Sequence, residues 1–244
     1  MRKLFSICIV LSAVTAGFAQ DQAAPAASQA SEKYREYRNQ ITEPKYGLAK
    51  VKKLIKAIKP DGEDNVIMAN KTYNTLSVEE KFTYNALHGE VFSQNCDVMP
   101  PMVDEEKKIF GHLPGNFGDE EQWSERQLAF FKKYRSKVVS LLRETMTGQK
   151  HVGLNLKHIV IEIQAYELIP DMIKLYGQKH YDQDILTVLM DLMHQGKYTP
   201  FMKSQSCEKL FGDASNYRSF IVANPENQAL VIERATAYYK TKKK

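Results

Sequence analysis

The chain has 244 residues, of which 43% are hydrophobic and 26% are charged, and its formal net charge is +5. It is long enough for one large domain or two small ones. The charge is too small to indicate nucleic-acid binding, and no stretch after the N-terminal segment approaches the ~20 apolar residues needed to cross a membrane.

The chain begins with MRKLFSICIVLSAVTAGFAQ, which has the pattern of a secretory signal peptide. Arg2 and Lys3 precede an apolar run, and small residues flank the expected cleavage point. Cys8 lies inside the apolar run, which argues against attachment of a lipid. We therefore expect a signal peptide over 1–19, a flexible leader over 20–30, and a soluble product of charge +3 that is secreted or periplasmic.

Four helices are predicted between residues 31 and 87, in the first part of the expected domain 31–244. Ser77 and Glu80 form a capping box, because a serine at the N-cap and a glutamate three residues later satisfy each other's backbone donors. Pro44 and Pro60 end the first two helices. The predicted spans are 31–41, 45–59, 66–75 and 77–87.

The second of these helices contains GLAKVKKLIKAIKP, a cationic amphipathic stretch. Its apolar residues lie within one arc of about 120° on a helical wheel, and its lysines lie outside that arc. We interpret the lysines as the solvated side of a core-facing helix, because the segment is short and has no Trp or Phe. The alternatives are an anionic partner, or contact with a membrane surface through Lys50, Lys53 and Lys56.

Residues 88–118 interrupt the helical pattern with three prolines and four glycines and are predicted to form a long loop with one short helix. Loops of this length are often functional. His88, Asp97 and His112 are candidate catalytic groups, and His88, Cys96 and His112 are candidate metal ligands, because imidazole and thiolate bind zinc. The alternative is that these side chains only bond to the backbone of an ordered loop.

Helical periodicity returns over residues 119–244, beginning with the longest predicted helix. Gly196 is predicted to end one helix, and Asn224 followed by Pro225 to begin the last. The predicted helices from the loop onward are 105–110, 119–146, 154–168, 171–178, 182–195, 200–211, 213–222 and 224–239. No strand is predicted.

The stretch LIPDMIKLYGQKHYDQDILTVLMDL has an apolar helix, a polar turn, an aspartate cap at Asp182 and a second apolar helix. This resembles the helix-pair unit of HEAT and armadillo repeats, over about 40 residues and without a diagnostic motif. The fold class predicted is all-α: a multi-helical single domain, with a short α-solenoid over the repeat-like part 119–244 or an irregular helical bundle as the two architectures.

Few residue patterns indicate catalysis, and the chain has no HExxH, GxSxG, phosphate-loop or CxxC motif and no cofactor motif. His158 and Glu162 are four apart and can meet on one helix face, as a base with its carboxylate or as a surface pair. Asp184 and Asp191 are interpreted as part of a solvated face rather than as an acid–base pair.

Two cysteines, Cys96 and Cys207, remain after cleavage. Export would allow them to form a disulfide, and two separate buried thiols are the alternative.

Tyr-Arg dipeptides recur along the chain, and both residue types are enriched in protein interfaces. Tyr134, Arg135, Tyr217 and Arg218 are therefore candidate partner-binding residues, and tyrosines in helix contacts with outward arginines are the alternative. We expect an exported protein-binding or scaffold module, not an enzyme, whose partner is another exported or envelope protein. The alternative is an exported hydrolase or metal-dependent enzyme with its site at the 88–118 loop.

Overall fold

The computed structural model describes residues 27–94, 102–178 and 181–243, and this part of the chain is mostly helical. The all-α prediction is therefore confirmed. Twelve α-helices are described: α1 Gln29–Arg38, α2 Leu48–Lys56, α3 Asn70–Thr75, α4 Val78–Leu87, α5 Glu125–Lys133, α6 Arg135–Gln149, α7 Leu154–Glu162, α8 Ile169–Gln178, α9 Gln183–Gln195, α10 Thr199–Met202, α11 Gln205–Phe211 and α12 Pro225–Lys242.

Four short strands form two separate antiparallel ribbons, although no strand was predicted. The strands are β1 Val91–Phe92, β2 Lys108–Phe110, β3 Glu121–Gln122 and β4 Phe220–Val222. β1 pairs with β3, and β2 pairs with β4 with Ile109 opposite Ile221. The helix predicted over 105–110 is present only as a 3-10 turn, Glu105–Lys107, before β2, and the helix predicted over 213–222 is wrong, because that segment ends in β4. Strands of two or three residues are too short to show an alternating pattern.

The centre of the fold is α9, on which ten residues are buried and against which α7, α8, α10, α12 and β2 pack. Apolar residues cover more than half of the circumference of α9, and the polar residues Gln183, Asp184 and Thr187 are buried with them. α8 packs against α9, as the predicted helix pair requires. The solenoid architecture itself stays a prediction.

The long helix predicted over 119–146 is wrong, because the chain bends at Tyr134 (φ −108°, ψ 23°) between α5 and α6. Its first residues form a 3-10 turn and β3 instead. Ser124 and Gln127 make a capping box that begins α5, a signal that the apolar periodicity masked.

The apolar face of the lysine-rich helix α2 is covered by the protein itself. Val51 is fully buried in a small second cluster with Met68, Tyr73, Leu76 and Tyr84. The Lys50 ammonium lies 2.9 Å from the Glu80 carboxylate, and Lys53 and Lys56 are exposed. The helix therefore faces the core with its lysines exposed, and contact of Lys50, Lys53 and Lys56 with an anionic partner or a membrane surface stays a prediction. Within the described residues, none of the helices has the length and apolar character needed to cross a membrane.

Candidate binding groove

A row of surface depressions lies along α5, the start of α6 and the end of α7, with one wall from α12, and is called the groove below. It consists of three adjoining depressions. The aromatic end, of about 400 Å³, shares Leu128 and Glu162 with the central depression of about 660 Å³. The central depression shares Lys132 and Arg135 with the basic end of about 350 Å³. The three depressions therefore adjoin one another along one side of the molecule.

Helix α5 presents one of its faces to the groove because its other face is buried. Phe130 and Phe131 are 5% and 1% exposed and pack in the main core. Gln127 fixes the start of the helix, since its Nε2 donates to the His88 carbonyl at 2.8 Å. Leu128 and Lys132, one turn apart, are left on the exposed side.

Arg135 joins the start of α6 to the end of α7. Its guanidinium donates to the carbonyls of Ile163 and Gln164 at 2.8 Å and to the Glu167 carboxylate at 2.7 and 2.9 Å. The hydrogen bonds with Glu167 raise the pKa of Arg135. Burial tends to raise the pKa of Glu167, but the Arg135 contact outweighs it and holds that pKa below its usual value. Arg135 is thus a structural brace as well as a groove wall.

Lysines supply the remaining charge at the basic end and in the central depression. The Lys242 ammonium lies 5.3 Å from the Tyr238 ring centroid and 5.8 Å from that of Tyr166. The Lys133 ammonium lies 5.3 Å from the centroid of Tyr134. Aromatic faces attract cations at such distances, so these ammonium groups are held beside the groove.

The aromatic end combines ring surfaces with polar side chains. Phe117 and Trp123 lie edge to face with centroids 5.8 Å apart, and the Trp123 indole donates to the Asn85 carbonyl at 2.7 Å. His158 donates from Nε2 to the Pro114 carbonyl at 2.8 Å. The side-chain nitrogen of Asn116, on the same wall, is buried without an acceptor among the described residues.

The predicted pair His158 and Glu162 lies in this aromatic end, together with Glu121. Both side chains line the aromatic end, and their action as a base and its carboxylate stays a prediction.

The loop candidates His88 and His112 have different surroundings. His88 is buried; its Nε2 donates to the Val66 carbonyl at 2.6 Å, and its Nδ1 lies 4.0 Å from the Glu121 carboxylate. His112 is exposed with its ring 5.7 Å from that of Phe211.

The other loop candidates, Cys96 and Asp97, lie outside the described residues. Elsewhere, in the part of the chain that the structure describes, no group of three or more His, Cys, Asp or Glu residues is placed to hold a metal ion. The catalytic and metal sites that include Cys96 or Asp97 stay predictions.

Of the two Tyr-Arg pairs predicted to bind a partner, only one lies at the groove. Tyr134 and Arg135 form part of its basic end. Tyr217 and Arg218 lie exposed in the turn before β4, with the Arg218 guanidinium 5.4 Å from the Tyr217 ring. Whether either pair contacts a partner stays a prediction.

The second cysteine of the proposed bridge, Cys207, is a buried thiol on α11. Burial raises its pKa. Because Cys96 lies outside the described residues, their pairing stays a prediction.

A buried cluster of charges was not predicted. Arg38 of α1 donates to both carboxylate oxygens of Asp184, and the Lys157 ammonium lies 2.7 Å from Asp182. The pKa of Tyr37 lies well above its usual value, mainly because its hydroxyl is buried and secondly because the Asp182 carboxylate is nearby. The prediction of a solvated face is wrong for Asp184, which is only 1% exposed.

Comparison with known proteins identified no relative: no family model, no curated protein and no solved structure matches the chain.

Proposed function

We propose that the protein is an exported protein-binding module that holds a segment of a partner protein in the groove along α5, α7 and α12. The observation that carries this proposal is the adjacency of the three depressions, which share Leu128 and Glu162 at one junction and Lys132 and Arg135 at the other. An extended peptide segment can lie across a row of adjoining open depressions, whereas a small ligand is usually held in a single cleft or cavity.

The residues along the channel are of the types that contribute most to protein interfaces. Trp123, Tyr166 and Arg135 line it, and Trp, Tyr and Arg are the residue types enriched among energetically important contacts. Leu128, 36% exposed, lies at the junction of two depressions and offers an apolar contact at the middle of the channel.

The test is capture of partners from the native envelope fraction by the mature chain, residues 20–244, with mild cross-linking and mass spectrometry. We expect a stoichiometric protein partner that is lost with Leu128→Arg, because a charged side chain would block the channel. Ile67→Arg is the matched control, since Ile67 is also an exposed apolar residue, at 44%, and lies outside the groove. Equal capture by both variants would contradict the proposal.

A second candidate function is favoured by the aromatic end, which places residues 115–117 of the predicted functional loop beside His158, Glu121 and Glu162. Imidazole and carboxylate groups are the usual general acids and bases of hydrolases. In that case, turnover of a panel of ester, glycoside and peptide substrates would be lost with Glu162→Gln without loss of folding. Failure of the wild-type chain to hydrolyse the panel would count against this candidate.

A further inference from the structure

We infer that the groove selects a partner segment in which an acidic side chain lies two residues from an apolar anchor. This inference rests on the proposed function, because it names the chemistry of the segment that the groove would hold. It depends on how charge is distributed along the groove and on the spacing of two residues of α5.

The groove is positively charged at one end and negatively charged at the other. The charges of Arg135 and Lys137 are already matched, by Glu167 and Glu79 at 2.7 Å. The ion pairs formed by the described residues do not include Lys132, Lys133 or Lys242. All three lysines are exposed, so the basic end and central depression carry three cations without a carboxylate partner among these residues.

Glu121 lies at the other end of the groove, and Glu162 lies at the junction between that end and the central depression. A uniform polyanion lying along the whole channel would bring its charges against these two carboxylates, and like charges repel. A peptide that carries carboxylates at one end only matches the distribution. The unpaired cations are lysines, and a lysine ammonium binds a single carboxylate as a point charge. The guanidinium of Arg135 is already occupied by the Glu167 carboxylate.

The spacing along α5 sets the pattern of the segment. Leu128 and Lys132 are four residues apart on one helix face, which is about 6 Å along the axis. In an extended chain, side chains on one face recur every second residue, at about 6.6 Å. If an apolar side chain of the bound peptide contacts Leu128, the peptide side chain two residues away lies against Lys132. An aspartate or glutamate is favoured at that second position.

The test is selection of short random peptides, displayed on phage, against the immobilised mature chain. We expect enrichment of sequences in which an aliphatic or aromatic residue is followed or preceded at the second position by Asp or Glu. The double variant Lys132→Glu, Lys242→Glu should lower the affinity of such a peptide about tenfold or more and should accept the same peptide with Lys in place of the acid. Lys53→Glu, an exposed lysine on α2, is the matched control and should change nothing.

The outcomes separate this inference from the proposed function. Some selected peptides could lose binding in Leu128→Arg and yet carry no acidic residue, or bind the double variant as well as the wild type. Either result would overturn the inference and leave the proposed function standing. Absence of any peptide that depends on Leu128 would count against both. Heparin binding that Lys132→Glu abolishes, without acidic peptides, would assign the lysines to a glycan and overturn the inference. Circular dichroism and thermal melting would establish that each variant is folded.

Discussion

At the residue scale, the stability of the fold depends on charges that are removed from water. The side chains of Arg38 and Asp184 are 4% and 1% exposed and meet in a bidentate pair with Nε–Oδ2 and Nη2–Oδ1 distances of 2.9 Å. The Arg38 guanidinium also lies 4.4 Å from the Phe110 ring centroid. This ion pair connects α1 to α9, whose paired residues are 146 positions apart in the sequence.

We expect Asp184→Asn to reduce the free energy of unfolding by up to about 3–5 kcal/mol, because it removes the hydrogen-bonded counter-ion of the buried Arg38 and leaves only the Glu105 carboxylate, 3.8 Å away. Urea unfolding followed by circular dichroism would measure the loss. Asp213→Asn is the matched control, since Asp213 is exposed, and its effect should stay within about 0.5 kcal/mol. Equal effects of the two substitutions would contradict the role given to the pair.

A second buried carboxylate, Glu90, predicts how stability depends on pH. Burial tends to raise its pKa, but hydrogen bonds from Arg126, Ser124 and Tyr84 outweigh burial and lower it. The unfolded glutamate has a pKa of about 4.3, so the folded state binds the proton less tightly than the unfolded state. The stabilisation from Glu90 is therefore fully present above that pH and is lost as the pH falls through the lower folded value.

We accordingly expect the free energy of unfolding to fall as acid is added below about pH 4.3, and to fall less steeply in Glu90→Gln, which cannot titrate. Urea titrations from neutral pH into the acid range would compare the slopes. Glu233→Gln, at an exposed glutamate, should keep the wild-type slope. A slope unchanged in Glu90→Gln would refute this assignment.

At the element scale, local capping signals predicted where several helices begin. Ser77 accepts from the Glu80 amide at 3.1 Å, and the Ser77 amide donates to the Glu80 carboxylate at 2.9 Å, so the predicted capping box of α4 is confirmed. Asn224 likewise caps α12, and Gly196 follows α9 as predicted. A Cβ at Gly196 would lie 2.0 Å from the Tyr238 hydroxyl, so this glycine also permits close packing of α12, which the sequence did not reveal.

For Ser77→Ala we expect a loss of about 1 kcal/mol of stability, because the amide of Glu80 loses its acceptor. Thermal melting would show a lower midpoint than in the wild type. Ser136→Ala, an exposed position in the first turn of α6, should leave the midpoint nearly unchanged. If the two variants melt together, the box contributes nothing measurable.

Arg135 shows why a surface prediction from sequence alone needs the structure. We expect Arg135→Ala to destabilise the chain by about 1.5–3 kcal/mol, because two carbonyls and the Glu167 carboxylate lose a charged donor. Arg218→Ala, at an exposed turn, should have no such effect on the melting temperature. If Arg135→Ala loses a partner, its binding must therefore be compared with that of the wild type under conditions where both chains are folded. Equal melting temperatures of Arg135→Ala and Arg218→Ala would contradict the structural role of Arg135.

At the scale of the whole molecule, the apolar residues form two clusters of unequal size. The main cluster surrounds α9, and the smaller one holds five buried residues contributed by α2, α3, α4 and the segments beside them. A region with few buried apolar contacts opens at lower free energy than the main core.

Hydrogen exchange should therefore proceed first in peptides covering residues 48–76 and last in those covering α9. Val51→Ala should speed exchange over residues 48–76, because Val51 is fully buried in the smaller cluster, and should leave α9 unchanged. Exchange followed by mass spectrometry would measure both regions at once. Simultaneous exchange of the two regions would show that they unfold as one unit.

The sequence by itself determined the helical class of the protein and many of its helix ends, because periodicity and caps act within a few residues. The strands β1 to β4 escaped prediction because each is only two or three residues long and depends on a partner far along the chain. Only the tertiary structure decided that Asp184 is buried, and that Leu128, Glu162 and Lys242 line one groove. Burial of a charge and the walls of a groove depend on contacts between distant segments, which no local pattern encodes.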